Sequence, residues 1–335
     1  MPKKRRAVKR AHTKTRAIAV SLMATAVAVA SPGIAQAVPA GLPSHPAPVN
    51  DALEALDPGQ ASTWDKLKQQ LSALADEAAA DGVNLGVSVQ DVNPINPQGS
   101  VDVGSGEQQS AASVIKLPIL ATLLHQAEQG RASLDKTITI NGDEPNIVDG
   151  SGELKDRNFP QKLTVRELAR LMIQVSDNSA TNFLIDEVGG FAPFNDYMES
   201  LGFGDLHLGS KMMDPDNSSE GPNSISAAGI TNLLTKVKRG LVLTPVSTSY
   251  FVDLIRGQQV DTKFGAVIPR ENLANKTGEV EGASHDSGYI LLRDRSVALT
   301  ATTSYDEGRS QADADRYVQR AGALVLESLG GTPTG

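Results

Sequence analysis

Residues 163–190 read LTVRELARLMIQVSDNSATNFLIDEVGG, and this stretch decides the fold class. Apolar residues recur every three or four positions on both sides of Ser176-Asp177-Asn178, which predicts two helices over 165–175 and 179–188. Three more helices are predicted around this pair from the same periodicity, over 114–128, 193–201 and 226–238. The middle of the chain is therefore expected to be helical.

Strands are predicted on both sides of this helical region. The runs 84–92 and 100–103 flank a segment rich in Asn and Pro, which indicates a hairpin, and 286–293 and 296–304 form a second pair. A helix from Trp64 to about Gly82 precedes the first pair, and a helix over 310–329 follows the second. Strands at both ends with helices between them predict an α/β (α+β) fold, with an α/β part at 61–111 and 262–331 and a helical part at 112–261.

The first 60 residues have a different character. Residues 1–37 contain eight basic residues, no acidic residue, an apolar stretch from Ala17 to Ala30 and an Ala35-Gln36-Ala37 end, which together predict a secretory signal peptide cleaved after Ala37. A basic nucleic-acid-binding arm and an uncleaved anchor are the alternatives, but the apolar stretch is short for a membrane span. Residues 38–60, rich in Pro, Ala and Gly, are predicted to be a linker, and the protein to be secreted without a stable membrane anchor.

Composition excludes several classes of function. The chain has 335 residues, of which 40% are hydrophobic and 21% charged, as in a soluble globular protein. Cysteine is absent, which excludes disulfides, thiolate metal sites and a cysteine nucleophile. Because the first 37 residues hold eight of the 31 basic residues and none of the 39 acidic ones, the remainder carries a net charge of −16. So acidic a body is a poor partner for nucleic acid.

A serine and a lysine three positions apart open one of the predicted helices. In Ser113-Val-Ile-Lys116 the helical spacing brings the amine beside the hydroxyl, and a serine needs such a base to become a nucleophile. A helix start also leaves the Ser113 N–H available to stabilise an oxyanion. Ser133-Leu-Asp-Lys136 has the same spacing, but it follows Gly130, where a helix has ended. The pattern alone is weak.

Two further short motifs have both a structural and a functional interpretation. Ser176-Asp177-Asn178 contains residues typical of a helix N-cap, and it also offers a hydroxyl for proton transfer and an amide for a substrate carbonyl. Lys276-Thr277-Gly278 is either a charged turn or a strand edge where glycine lets a ligand approach the backbone.

Taken together and in this order, the three motifs resemble those of the class A β-lactamases and penicillin-binding proteins. The resemblance extends from about Asn84 to Leu326 and includes AASVIKLPIL around Ser113 and NKTG before His285. It implies a β-lactamase/transpeptidase-like fold, in which an antiparallel sheet with N- and C-terminal helices adjoins an all-α domain and the active site lies between them.

The resemblance also implies a role for each motif residue. Ser113 would be the acylated nucleophile, Lys116 its base and Ser176 a proton shuttle to the leaving nitrogen. Asn178 would bind the acyl amide of the substrate, and Lys276 and Thr277 its carboxylate, beside Gly278. The N–H groups of Ser113 and Glu279 would form the oxyanion hole.

Two departures from the family pattern affect these expectations. Class A β-lactamases carry a glutamate between the second and third motifs that activates the deacylating water. Here that region contains no Glu-Pro, and Asp214-Pro215 is its nearest counterpart, in a loop that looks shortened. Glu279, large and acidic, stands directly after the third motif where the family has a small residue. Asp214 is thus the candidate for deacylation.

The sequence favours a secreted serine hydrolase that opens β-lactam rings through an acyl-enzyme. A peptidoglycan DD-peptidase or esterase acting on stem peptides is the alternative, as is a penicillin-binding module with slow or no turnover. No cofactor is expected, and the protein is predicted to be a monomer. An acidic surface loop explains Asp214, Asp216 and Glu220 better than a calcium site does, and His207 and His285 lack neighbours at zinc-ligand spacing.

Overall fold

The computed structural model describes residues 58–214, 220–293 and 295–334. A five-stranded antiparallel sheet joins the early and late parts of this range. Its strands are β1 (Val83–Asp91), β2 (Ser100–Val103), β7 (Leu273–Val280), β8 (Ala283–Leu291) and β9 (Ser296–Tyr305), in the order β2-β1-β9-β8-β7. The predicted hairpin is confirmed, because Val87 of β1 pairs with Val103 of β2. The β8 and β9 strands begin and end within three residues of their predicted bounds.

Helices from both ends of the described chain cover the sheet. α1 (Pro58–Ala80) and α9 (Gln311–Ser328) contact each other and the strands, and Leu71 of α1 and Tyr317 of α9 are fully buried with the apolar residues of β1 and β9. α1 begins inside the segment predicted as a linker. The rest of that linker and the predicted signal peptide lie outside the described residues.

The helical region lies between β2 and β7 in the chain. Its helices are α2 (Lys116–Glu128), α3 (Val165–Gln174), α4 (Asn178–Glu187), α5 (Phe191–Ser200), α6 (Ala227–Lys238), α7 (Pro245–Arg256) and the short α8 (Phe264–Val267). Two small antiparallel pairs interrupt them, β3 (Gln109–Ser110) with β6 (Ser224–Ile225), and β4 (Thr137–Ile140) with β5 (Gln161–Thr164). α7, α8, β3, β5 and β6 were not predicted; β4 follows the segment 133–136, where the end of a helix at Gly130 predicts that a strand begins. No helix among the described residues is long and apolar enough to span a membrane.

Local signals fix the start of the central helices. Thr164 caps α3 by accepting a hydrogen bond from Glu167 N, while the Glu167 side chain accepts one from Thr164 N, so the two residues form a capping box. Asp177 caps α4 by accepting from Ala180 N at 2.8 Å. The N-cap interpretation of the second motif is therefore correct for its middle residue, and it leaves Ser176 and Asn178 on either side to face other elements.

Candidate active site

Ser113 and Lys116 lie at the entrance of α2. The chain passes through a 3₁₀ turn at Ala112–Ile115 before α2 begins at Lys116, so the two residues are joined by a tighter turn than the predicted α-helix. The Lys116 Nζ atom lies 2.8 Å from Ser113 Oγ. Ser113 is partly exposed and Lys116 is fully buried, so the hydroxyl faces the solvent side and the amine the interior.

The buried amine of Lys116 is surrounded by oxygen atoms of the second motif. Its Nζ donates to Ser176 O at 2.8 Å, to Asn178 Oδ1 at 2.8 Å and to Ser176 Oγ at 3.2 Å. Burial and the nearby Lys276 charge hold the pKa of Lys116 well below its usual range, against the opposing charge of Asp177. A lysine with such a lowered pKa has a neutral fraction that can accept a proton from a hydroxyl.

Ser176 links the second motif to the third. Its Oγ accepts a hydrogen bond from Lys276 Nζ at 2.9 Å as well as the one from Lys116, so a single hydroxyl connects two buried amines. Its backbone has φ of +56°, a conformation that is uncommon for a residue with a side chain. This backbone conformation turns the hydroxyl toward the lysines while Asp177 enters the helix.

Lys276 is the buried cation of the third motif. Burial lowers its pKa to about 7, with Asp286 opposing this effect and the Lys263 charge adding to it. Its Nζ also donates to Thr277 O at 2.6 Å. The motif lies within β7 rather than in a turn, and Thr277 pairs with Asp286 of β8 across the sheet. The strand interpretation of the third motif is therefore the correct one.

Gly278 allows β7 to approach the turn that carries Ser113. A Cβ atom at position 278 would stand 3.0 Å from Ser113 N and 2.9 Å from Val114 N, closer than real Cβ atoms tolerate without a shift of the backbone. The absence of a side chain thus brings the end of β7 directly against the Ser113 turn. Glu279 is the next residue along β7.

Residues 66–329 match the sequence model described as the β-lactamase enzyme family. The chain belongs to this family. It is 28% identical over 77% of its length to a β-lactamase of Streptomyces albus G, covering 83% of that protein, and 24% identical over 69% of its length to the carbapenem-hydrolysing β-lactamase KPC of Klebsiella oxytoca, also covering 83%.

Solved structures share the fold. The acyl-enzyme complex of a point mutant of PBP-A with penicillin G superposes with a TM-score of 0.70 at 23% identity, covering 79% of this chain and 97% of that one. A point mutant of the class A β-lactamase of the last common ancestor of Gram-negative bacteria superposes with a TM-score of 0.69 at 25% identity, covering 79% and 98%. The predicted β-lactamase-like fold, an antiparallel sheet with an all-α part, is confirmed.

Asn178 holds one wall of the site in this family member. Its Oδ1 accepts from Lys116, and its Nδ2 donates to Asp149 O at 3.3 Å, which ties a loop at 148–152 to α4. A Cβ at Gly150 in that loop would stand 2.6 Å from Asn178 Nδ2 and 3.1 Å from the Met213 sulfur. The loop that carries Met213 therefore reaches the edge of the site next to Asn178.

Asp214 follows Met213 in this loop and is partly buried. Its backbone N–H donates to Lys211 O at 3.4 Å, and the residues after it, 215–219, lie outside the described part of the chain. The backbone of Met212, two positions earlier, is the part fixed to the helices: Asn182 Oδ1 accepts from Met212 N at 2.7 Å and Asn182 Nδ2 donates to Met212 O at 3.2 Å. The deacylation role of Asp214 stays a prediction.

Sequence reasoning missed two residues beside the site. Asn182 lies four positions after Asn178 on the same face of α4, a spacing visible in the sequence. Lys263, fully buried, binds the Glu279 side chain with Nζ 2.6 Å from Oε2. Because the two residues come from different elements, no local sequence pattern predicts this pair. Both residues fix segments that carry or adjoin the predicted site.

The competing residues lie elsewhere. Lys136, in the second Ser-x-x-Lys sequence, forms an ion pair with Glu187 at 2.6 Å, in a turn rather than a helix start. His207 Nε2 donates to Glu220 O at 2.6 Å, between two loop segments. Asp216 lies outside the described residues. Within the described ranges, no three His, Asp or Glu side chains are grouped as a metal site requires.

His285 stands behind the third motif as a structural residue. It is fully buried; its Nε2 donates to Ser110 O at 2.7 Å and its Nδ1 accepts from Thr303 N at 3.1 Å. These two bonds require a neutral ring with its proton on Nε2. Burial lowers the pKa of His285 to about 4, which is consistent with that state.

Proposed function

We propose that Ser113 attacks a β-lactam carbonyl and that the protein is a serine β-lactam hydrolase acting through an acyl-enzyme. The observation that carries the proposal is the chain of contacts from Ser113 Oγ to Lys116 Nζ at 2.8 Å, then through Ser176 Oγ to Lys276. A nucleophile, a base and a route for the proton are therefore joined in a single network. Membership of the β-lactamase enzyme family supports this reaction.

In the first step, neutral Lys116 accepts the Ser113 proton as Oγ bonds to the carbonyl carbon. Burial first and the Lys276 charge second lower the pKa of Lys116, which raises the fraction of the neutral amine that can accept this proton. We expect the N–H groups of Ser113 and Glu279 to stabilise the oxyanion that forms, because Gly278 lets β7 approach the turn that carries Ser113.

In the second step, the carbon–nitrogen bond breaks and the ring nitrogen takes a proton from the Ser176 hydroxyl. Ser176 recovers its proton from Lys116, which returns to its neutral state, so the proton taken from Ser113 ends on the leaving nitrogen. The hydrogen bonds of Ser176 Oγ to both lysines support this role. Lys276 and Thr277 bind the substrate carboxylate, and Asn178 binds the amide of the acyl side chain.

Release of the product requires a water on the ester carbon and a base within hydrogen-bond reach of it. Asp214 is the proposed base, from a loop that reaches the site beside Asn178 at Met213. Its side chain is one methylene shorter than the glutamate of the family pattern, so we expect slow deacylation after ready acylation. We further propose export through the signal peptide at 1–37 and a monomeric state.

Mass spectrometry tests the proposal. Purified protein treated with benzylpenicillin is expected to gain the mass of the intact antibiotic, with the label on the peptide that contains Ser113. The Ser113→Ala variant is expected to lose the label, whereas Ser133→Ala, its matched control in the second Ser-x-x-Lys sequence, keeps it. A label on another serine refutes the assignment.

Turnover separates this proposal from its alternatives. Hydrolysis of a chromogenic cephalosporin beyond one equivalent is expected from a β-lactamase. A lasting adduct with no turnover indicates a penicillin-binding module instead, and release of D-alanine from a stem-peptide analogue without cephalosporin hydrolysis indicates a DD-peptidase.

A further inference from the structure

A compact charge cluster lies behind the end of β7, outside the catalytic network. Lys263 Nζ donates to Glu279 Oε2 at 2.6 Å and lies 3.7 Å from Asp315 Oδ1 on α9. The Lys263 side chain is 0% exposed, whereas that of Glu279 is 40% exposed. A buried ammonium is costly unless it is paired, and here the carboxylates of Glu279 and Asp315 both compensate the charge of Lys263.

Two further side chains, Ser284 and Gln311, donate hydrogen bonds to the carboxylates of the cluster. Ser284 Oγ donates to Asp315 Oδ1 at 2.5 Å, which ties Asp315 to β8. Gln311 Nε2 donates to Glu279 Oε2 at 3.0 Å, the same oxygen that Lys263 binds. Lys263 and Gln311 together draw the Glu279 carboxylate toward α9.

The position of Glu279 gives this pairing a consequence for substrates. In a strand, alternate residues share a face, so the Glu279 side chain leaves β7 on the same face as Thr277, which is proposed to bind the substrate carboxylate. The pair is also within electrostatic reach of Lys276: after burial and Asp286, the charge of Lys263 lowers the pKa of Lys276 and that of Glu279 raises it. An uncompensated Glu279 would repel an incoming anion and compete with it for Lys276.

We propose that Lys263 is a positioning residue for substrate selection: it holds Glu279 against α9 and cancels its charge, so that substrates bearing a carboxylate reach Lys276 and Thr277. This inference rests on the proposed function. Under this proposal, Glu279 directly after the third motif is compatible with anionic substrates. The charge that compensates it, that of Lys263, lies 13 residues before the motif in the sequence.

The test compares an anionic and a neutral substrate on the same set of variants. The second-order rate constant of acylation is measured for benzylpenicillin and for its methyl ester, which lacks the charge, at low and high salt. In Lys263→Met we expect the ratio of penicillin to ester to fall about tenfold at low salt, and less at high salt, because one compensating charge is lost near the carboxylate subsite.

Three further variants isolate the cause. Lys263→Arg is expected to keep the wild-type ratio, and Lys263→Met combined with Glu279→Gln to restore most of it. Glu279→Gln alone is expected to raise the ratio, because a negative charge is then removed beside the carboxylate subsite while Lys263 keeps its charge. Lys136→Met, which breaks a Lys–Glu pair of the same 2.6 Å length away from the site, is the control and keeps the wild-type ratio.

Equal losses on both substrates in Lys263→Met, or no rescue by Glu279→Gln, would overturn the inference. If Lys263→Met does not fold, as circular dichroism would show, Glu279→Gln decides alone: an unchanged ratio refutes the inference. If the wild-type protein is acylated normally but the penicillin-to-ester ratio is the same in all these variants, only this inference is refuted. A wild-type protein that gives no adduct overturns the proposed function and this inference with it.

Discussion

Replacing His285 by Gln is expected to make the folded protein more stable, relative to wild type, as the pH falls from about 6 to 4.5. Burial lowers the pKa of His285 in the folded protein to about 4, from 6.5. The unfolded chain therefore binds the proton more tightly, and the contribution of His285 to stability, present above pH 6.5, is lost as the pH falls toward 4. Over that whole interval the loss is about 3 kcal/mol for a shift of this size.

The neighbouring Asp286 acts in the opposite direction. Burial raises the pKa of Asp286 to about 6, from 3.8, against the hydrogen bonds from Asn275, Phe264 N and Ser287 N. Here the folded protein binds the proton more tightly, so the contribution is present below pH 3.8 and is lost as the pH rises toward 6. Its size is again about 3 kcal/mol. Near pH 5, each group contributes a slope of about 1 kcal/mol per pH unit with opposite sign, and the two nearly cancel.

Urea unfolding between about pH 4.5 and 6 measures these slopes separately. Glutamine at position 285 offers one donor for Ser110 O and one acceptor for Thr303 N, so His285→Gln removes the titration while keeping the pairing pattern. Relative to wild type, we expect this variant to gain about 1 kcal/mol per pH unit of acidification. Asp286→Asn is expected to lose about as much on acidification.

All other ionisable groups are shared by the proteins and cancel in the differences. Parallel stability–pH curves for wild type, His285→Gln and Asp286→Asn would refute the reasoning, because they would show that neither buried group changes its proton affinity on folding.

Three further predictions concern the site and one helix. Lys276→Ala is expected to reduce acylation by carboxylate-bearing substrates far more than by neutral esters; equal losses in stopped-flow acylation would contradict its role. Asp214→Asn is expected to slow deacylation by about 10²-fold or more, the usual contribution of a positioned base, while acylation is unchanged. A pre-steady-state deacylation rate equal to that of the wild type would exclude Asp214 as the base and make Lys116 the next candidate. Thr164→Ala removes the N-cap of α3 and should lower the free energy of unfolding by about 1 kcal/mol in urea titrations, without changing the acylation rate.

The parts of the site that depend on short sequence separations could be predicted. Ser113 and Lys116 come together because three residues make nearly one turn, whether that turn is 3₁₀ or α. The β1–β2 hairpin followed from two strand-like runs and a turn rich in Asn and Pro. In each case, one local geometric rule is sufficient to relate the residues.

The missed elements depend more on tertiary contacts. α7 has a local start signal, the N-cap Thr244 followed by Pro245, but its sequence PVSTSYFVDLIR is rich in β-branched, aromatic and serine residues with low helix propensity. Packing against α2, α3 and β7 outweighs that low propensity. The contacts of Lys263 with Glu279, and of His285 with Ser110, join segments that only the completed fold brings together. Tertiary packing, rather than local preference, decides them.

The loop after α5 shows that a short motif can identify a candidate residue without fixing its position. Asp214 was selected because it precedes a proline, as the family's glutamate does, but the position that α4 fixes is Met212, held at both backbone atoms by Asn182. The Met212 side chain is 8% exposed and packs in the helical core, so it offers no base. The position of the Asp214 carboxylate, two residues further along, therefore depends on the path of the loop after Met212. Acylation uses buried groups with several hydrogen bonds to one another, whereas the proposed deacylation uses a carboxylate one methylene shorter than the family's glutamate. This difference is the physical reason to expect an acyl-enzyme that forms readily and hydrolyses slowly.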